Sequence, residues 1–305
     1  MAQQLSYYFP GYGITDEMIP RLLREFLDWG ENRFVVSCYL IEECLKNERR
    51  LDDLQRWQRE FPITFANMHA PCGPGYDLNT MDETSRPAMI ADHIRAMEIA
   101  SELGCKTYTI HIGAYHYVHQ HAKLPELRKY AHDTMEKLVP AAQKYKVILA
   151  VENNFEPPNS AREVLRYVAP YAKAPYVGVC FDVGHANIMR MYPGKRLDRY
   201  RSYLHNEWYE TGIIPENDAL DILMPHIVTA HLHDNDGYGD LHAMPGDGDV
   251  DWQETVAKLK KCPRLEEIQT EVNYLSGVNW AGELCAPHGG YSIRRLVETF
   301  RNLGF

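Results

Sequence analysis

Two hydrophobic rhythms alternate along the chain. Short apolar runs of strand length are followed by longer amphipathic stretches with a helical period. The short runs predict eight strands: Leu5–Phe9, Arg33–Cys38, Ile63–His69, Thr107–His111, Val147–Glu152, Tyr176–Asp182, Ile227–His231 and Glu267–Glu271. Eight helices are expected between them. The first runs from Thr15 to Trp29, with Thr15 as N-cap and Gly30 as the stop. The others cover Leu51–Glu60, Arg86–Leu103 ahead of Gly104, Glu126–Lys144, Ala161–Val168, Ala219–Met224, Trp252–Lys260 and Ser292–Asn302. Asp251 and Glu254 have the spacing of a capping box at the head of the seventh.

Eight alternations over 305 residues are the count of an α/β (β/α)8 TIM barrel, a single domain over residues 1–305 with long βα loops on its C-terminal face. A doubly wound open sheet is the rival. It usually has fewer strands and a glycine-rich first turn, and the early Gly11-Tyr12-Gly13 lacks the third glycine. No internal repeat, low-complexity tract or linker interrupts the pattern.

Composition narrows the class. Apolar residues make up 45% and charged residues 24%, which fits a globular chain and excludes a disordered or collagen-like one. No apolar stretch is long enough for a membrane span, and MAQQLSYYFP does not read as a secretory signal. The seven cysteines (38, 44, 72, 105, 180, 262, 285) are scattered, with no C-x-x-C pair. A reducing, cytoplasmic setting is expected, and a cysteine-based zinc knuckle is not. The net charge of -10 disfavours nucleic acid as a partner.

Three strand-to-helix connections are long: residues 70–85, 186–217 and 272–290. Loops of this length on one barrel face usually carry function. The second holds Tyr192, Tyr200, Tyr203, Trp208 and Tyr209; the third holds Tyr274, Trp280 and His288. An aromatic segment of this kind serves as a lid or sugar platform, or as a satellite hydrophobic cluster or oligomer contact. Tyr200 and Tyr209 are the candidates for an exposed homo-oligomer interface.

The chemistry lies in what ends each strand. The third to eighth strands close on His69, His111, Glu152, Asp182, His231 and Glu271. In a barrel these ends converge around one axis. Taken singly, a strand-end histidine is more often structural, and a strand-end carboxylate more often caps the next helix. Six together need another account, because carboxylates sharing one pocket repel unless a cation or shared protons offset their charge. Histidines interleaved with carboxylates form a ligand set for a divalent metal. The loop after the seventh strand, HLHDNDGYGDLHAMPGDGDVDW, adds Asp240 and His242, two apart, which both face the site if the loop is extended. Gly246 and Gly248 permit a tight turn before the capped helix.

The strand-end series and this loop resemble the xylose-isomerase-like TIM-barrel superfamily, the sugar (and sugar phosphate) isomerases and epimerases related to endonuclease IV. The resemblance covers nearly the whole chain, and the sixth-, seventh- and eighth-strand motifs are its most specific part. It implies one divalent ion (Mn, Mg, Co or Zn) held by Glu152, Asp182, His231 and Glu271, with His185 contacting substrate. In the endonuclease branch three zinc ions are implied, on His69, His111, Glu152, Asp182, His185, His231, Asp240, His242 and Glu271. All nine residue types are present, so the ligand inventory does not separate the branches. The acidic charge and the Pro-Gly-Asp-Gly-Asp-Val-Asp-Trp segment lean toward the sugar enzymes. Xylose isomerase proper is disfavoured, since the lysine it uses beside the fifth-strand glutamate is replaced by Asn153-Asn154-Phe155. The resemblance thus implies a metal-dependent sugar isomerase or epimerase with Glu152 and Glu271 as base and acid on an enediolate. His69, His111, Asp240 and His242 are left to line the pocket or hold a second ion. A multi-zinc phosphodiesterase, a sugar dehydratase or C-glycoside lyase, and a non-catalytic barrel are the alternatives.

Overall fold

A computed structural model describes residues 3–9, 15–208, 212–275 and 290–305. The strands are β1 (Gln4–Phe9), β2 (Arg33–Val36), β3 (Thr64–His69), β4 (Thr107–Ile110), β5 (Ile148–Glu152), β6 (Val177–Asp182), β7 (Ile227–Leu232) and β8 (Glu267–Thr270). Each pairs in parallel with the next, and β8 returns to β1, closing the barrel. This is the (β/α)8 barrel expected from the alternation.

All eight expected helices are present, but the helix count is corrected. Twelve α-helices occur among the described residues. The four additional ones are Cys38–Lys46, Tyr115–Gln120, Val183–Met189 and Ser202–Glu207. Three of them have six or seven residues, too few for a 3.6-residue period to register. The fourth begins where the β2 run was expected to continue: Ser37 caps it by accepting from the Leu40 amide at 3.4 Å. Thr15 is not an N-cap. The first helix is Ile19–Asp28, preceded by Met18 without a side-chain cap, and Pro20 within the first turn sets its start. Gly30 and Gly104 do stop their helices, both in the left-handed region that favours glycine. The connection 186–217 is no open loop, since it carries the end of Val183–Met189 and all of Ser202–Glu207.

The main core fills the space between the outer face of the barrel and the helices. Phe26, on the first helix, meets Phe34 of β2 edge-on at 5.2 Å and Tyr274 at 5.8 Å. The barrel interior is different. Its lower layer is polar rather than branched aliphatic. Asn67 donates to Ser6 at 3.1 Å and accepts from Thr107 at 2.8 Å, and Gln269 donates to Thr229 at 2.8 Å. Buried Glu267 receives both 2.8 Å bonds of Arg33 and a 2.9 Å contact from Lys106. Paired in this way, the layer supports the upper rim without leaving its charge uncompensated.

Gly11, Tyr12, Gly13, Tyr209, Trp280 and His288 lie outside the described residues. No helix among the described residues is long and apolar enough to cross a membrane.

Candidate metal centre

Glu152, Asp182 and His231 sit on β5, β6 and β7, and Glu271 directly follows β8. Around His231 Nδ1 stand Glu271 Oε1 at 3.2 Å, Glu152 Oε1 at 3.4 Å and Asp182 Oδ2 at 3.8 Å. The ring is fully buried, yet among the described residues neither of its nitrogens has an aligned hydrogen-bond partner. Such an orphaned ring is costly unless something else occupies its lone pair. Donors bound about 2.1 Å from one ion lie roughly 3.0–3.5 Å from each other, the edge of an octahedron or tetrahedron. Glu152, Asp182, His231 and Glu271 therefore fit a single divalent cation in donor type, burial and mutual spacing.

Two further groups flank this centre. On one side, His69 Nε2 and His111 Nε2 stand 3.4 and 3.2 Å from Glu152 Oε2. His69 Nδ1 lies 2.8 Å from the Ala70 carbonyl and donates to it, which leaves Nε2 free to face the centre. On the other side, His185, Asp240 and His242 are joined by His233. His242 Nε2 approaches Asp240 Oδ2 at 3.2 Å, and its Nδ1 donates to the Glu271 carbonyl at 2.6 Å. Its backbone is left-handed, with φ near 50°, a strained position for a residue with a Cβ. The 2.6 Å bond and the adjacent Asp234–Ala243 bridge hold it there. The structure thus brings all nine expected residues to one rim.

Electrostatics bind the groups together. Burial alone would lower His231; Cys180, Glu271 and Glu152 around it outweigh that and raise it well above the usual value. His69 and His242, also opposed by burial, are raised to about 9, His69 chiefly by Glu152 and His242 by Asp240. Burial would raise Glu271, but His231 pulls it down to about 2. Glu152 is held well below the carboxylate range by His231 and His111, again against burial. The protein balances its buried carboxylates with imidazolium charge, which a divalent cation would replace.

Asp182 serves twice. It caps Val183–Met189, with Oδ1 accepting from the His185 amide at 2.6 Å, while both its oxygens lie 3.1 Å from His233 Nε2. The helix-cap role and a place in the candidate ligand group coexist in one residue. Asn153 fixes that residue from behind: its side chain exchanges bonds of 2.9 and 3.0 Å with the Asp182 backbone, and its carbonyl lies 3.0 Å from His185 Nδ1.

His233 is the functional candidate that sequence reasoning missed. Its signal was the His-Leu-His spacing, because alternate residues of a strand face the same side. Gly184 makes room for it: a Cβ there would lie 2.0 Å from His233 Cε1. The ring stacks on His242 at 3.9 Å.

The aromatic segment over this side is a satellite hydrophobic cluster. Phe155, Ile188, Met189, Tyr200, Leu204, Trp208 and Tyr238 pack together. Tyr200 is buried, so it is not the exposed interface residue expected; its ring meets Trp208 edge-on at 5.0 Å. Trp208 Nε1 donates to the Phe155 carbonyl at 2.8 Å, Phe155 packs edge-on against His185, and the Tyr203 hydroxyl accepts from the Asp240 amide at 2.8 Å. The cluster therefore buttresses the His185–Asp240 side of the rim.

A closed parallel barrel that gathers buried carboxylates and imidazoles at the C-terminal ends of its strands, in groups that could hold a metal ion, defines a class of barrels. Within it, the chain belongs to the xylose isomerase-like TIM barrel family, whose profile matches residues 42–263. It is 26% identical over 228 residues to an uncharacterized protein of Methanocaldococcus jannaschii, an alignment covering 71% of this chain and 66% of that one, just under two thirds of its length. Among solved structures, a D-tagatose 3-epimerase-like protein superposes with a TM-score of 0.69 at 18% identity, covering 99% of this chain and 96% of that one. The IolI protein with a bound zinc atom superposes with a TM-score of 0.62 at 17% identity, covering 88% of each chain.

Proposed function

We propose that the protein is a divalent-metal-dependent enzyme that isomerises or epimerises a small sugar or sugar phosphate by moving a proton next to its carbonyl. The observation that carries this reading is the placement of two buried carboxylates, Glu152 and Glu271, 3.4 and 3.2 Å from the same nitrogen, His231 Nδ1. Glu152, Asp182, His231 and Glu271 would hold the ion. When bound, a divalent ion supplies Lewis acidity, polarising the sugar carbonyl and stabilising an enediolate. Glu152 and Glu271 take the proton from one face of the carbon and return it to the other. Return to the same carbon gives epimerisation, and return to its neighbour gives isomerisation. His185, held through Nδ1 by the Asn153 carbonyl, presents Nε2 as a hydrogen-bond partner for a substrate oxygen. Burial of both carboxylates keeps water from competing for the proton. The likeness to a D-tagatose 3-epimerase-like protein and to zinc-bound IolI supports this choice of chemistry.

Glu271→Gln tests it. Turnover of the substrate found by screening ketoses and their phosphates, with product hydrogen exchange followed in D2O, should fall by about 10²–10⁴-fold. Wild-type rates in that variant would refute the two-carboxylate scheme.

The flanking groups favour a second reading, a phosphodiesterase using several zinc ions. Near one metal per purified chain supports the sugar enzyme; near three, with nicking of an abasic duplex, supports the second reading.

A further inference from the structure

The connection after the helix Val183–Met189 carries a buried lysine that the metal centre does not use. Lys195 is 8% exposed, and its Nζ donates to the carbonyls of Arg190 at 2.5 Å, Ile188 at 3.0 Å and Asn187 at 3.3 Å. The ammonium also lies 5.2, 5.5 and 5.6 Å from the ring centres of Tyr200, Tyr192 and Tyr238. Three carbonyl oxygens and three aromatic rings thus surround one positive charge. Gly237 and Tyr238 belong to a different rim loop, the one after β7, and a Cβ on Gly237 would lie 3.6 Å from Nζ.

We propose that Lys195 is a positioning residue: its charge clamps the end of Val183–Met189 to the loop after β7 and so sets His185 against Asp240 across the rim. This rests on the reading of that rim as the working site. The helix links the two places. Asp182 caps its start and His185 is its third residue, while the carbonyls that Lys195 holds lie at its end. From that end Asn187 Nδ2 donates to Asn235 Oδ1 at 3.0 Å, and Asn235 Nδ2 donates back to the Gly184 carbonyl at 2.8 Å. Asn235, Gly237 and Tyr238 lead in turn to Asp240, whose Oδ1 stands 3.7 Å from His185 Nε2.

The clamp needs a cation. The last carbonyls of a helix have no amide of their own helix ahead of them, and the dipole leaves that end negative. A helix of seven residues is too short to hold its geometry unaided. An ammonium offers three donors, one for each carbonyl, and its charge is attracted by the ring faces around it. Burial brings Lys195 down to about 8, which leaves it mostly charged at neutral pH. A neutral side chain of equal length would fill the space and offer the carbonyls no donor.

The test reads the intact, metal-free chain by hydrogen exchange and mass spectrometry. In Lys195→Met, peptides covering residues 183–190 and 235–243 should exchange at least about tenfold faster than in wild type, while the helix Arg86–Leu103 keeps its wild-type rate. In Lys195→Ala, propylammonium replaces the missing atoms and charge and should restore the wild-type pattern; propanol should not. Cobalt(II) affinity, followed by titration, should fall about tenfold in Lys195→Met and recover with propylammonium in Lys195→Ala. If K195M does not fold, K195A is prepared in propylammonium and its exchange is read before and after the amine is removed. Wild-type exchange in the variants, acceleration spread evenly over the barrel, or equal rescue by propanol would overturn the proposal. So would faster exchange with cobalt affinity unchanged, which would leave Lys195 a purely structural residue. A wild-type chain that binds no cobalt would instead remove the metal-dependent reading, and the exchange and rescue arms would still decide for or against the clamp.

Discussion

Replacing Asp234 by asparagine tests how the rim loop is held. The Asp234 carboxylate is fully buried and accepts four bonds. Oδ1 takes the amides of Asn235 at 2.9 Å and Val250 at 3.2 Å. Oδ2 takes the Gly246 amide and Trp252 Nε1, both at 2.8 Å. Gly248 must stay bare beside it, since a Cβ there would lie 2.3 Å from Oδ1. An asparagine keeps the shape and one oxygen, but its amide nitrogen faces two donors. Two charge-assisted bonds are lost, each worth roughly 1.5–3 kcal/mol, for a total of about 3–6 kcal/mol. At about 2 °C per kcal/mol for a chain of this size, Tm should fall by roughly 6 °C or more. The assay is thermal unfolding by circular dichroism in chelator, with protein concentration and scan rate matched, so that metal linkage does not contribute. A variant melting within about 1 °C of wild type would show that the carboxylate does not hold the loop together.

Other consequences follow from the same geometry. His93 is buried with Nδ1 2.8 Å from the Tyr108 hydroxyl and Nε2 2.8 Å from the Tyr76 carbonyl; burial lowers it to about 4. The fold favours the neutral ring, so its stabilisation is complete above about pH 6.5 and lost as pH falls toward 4, by roughly 3 kcal/mol. Urea titrations at pH 7 and 4.5 should show this loss in wild type and a smaller one in His93→Gln. Gly184→Ala drives a methyl into the His233 ring and should cost about 1–3 kcal/mol in urea unfolding. It should also weaken divalent binding in calorimetry, and unchanged stability and affinity would argue against a packed His233. Chelation should lower the melting temperature, and refilling at about a hundred times Kd should return roughly 2.7 kcal/mol, near 5 °C. A melt indifferent to chelator and added metal would remove the basis for the metal centre.

Much of the architecture was legible because a buried parallel strand is a short apolar run and its flanking helices are long enough to show their period. Every strand was placed within two residues of its observed bounds. Helices of six or seven residues carry no such signal, and Ser37 was hidden inside what reads as a strand. The rim residues stood out as polar residues at the ends of apolar runs. His233 did not, because it lies past the end of its strand and its place depends on the space left by Gly184. Tyr200 was misjudged since sequence does not show which aromatics of a connection pack on one another. Asp234 shows the same limit: four partners spread over residues 235–252 meet it only once the loop is folded.

Glu152 and Glu271 stand 119 residues apart in sequence, and the strand just before Glu271 is also the one that closes onto β1. During synthesis Glu152, Asp182 and His231 are made before Glu271. Until β8 has emerged and paired with β1, Glu152 and Asp182 sit in an open sheet whose last seam is missing, where water can reach them. Under the proposed function, loading with a cation is thereby coupled to completion of the barrel. A nascent or truncated chain ending before residue 271 should retain the ion poorly, whatever its secondary structure.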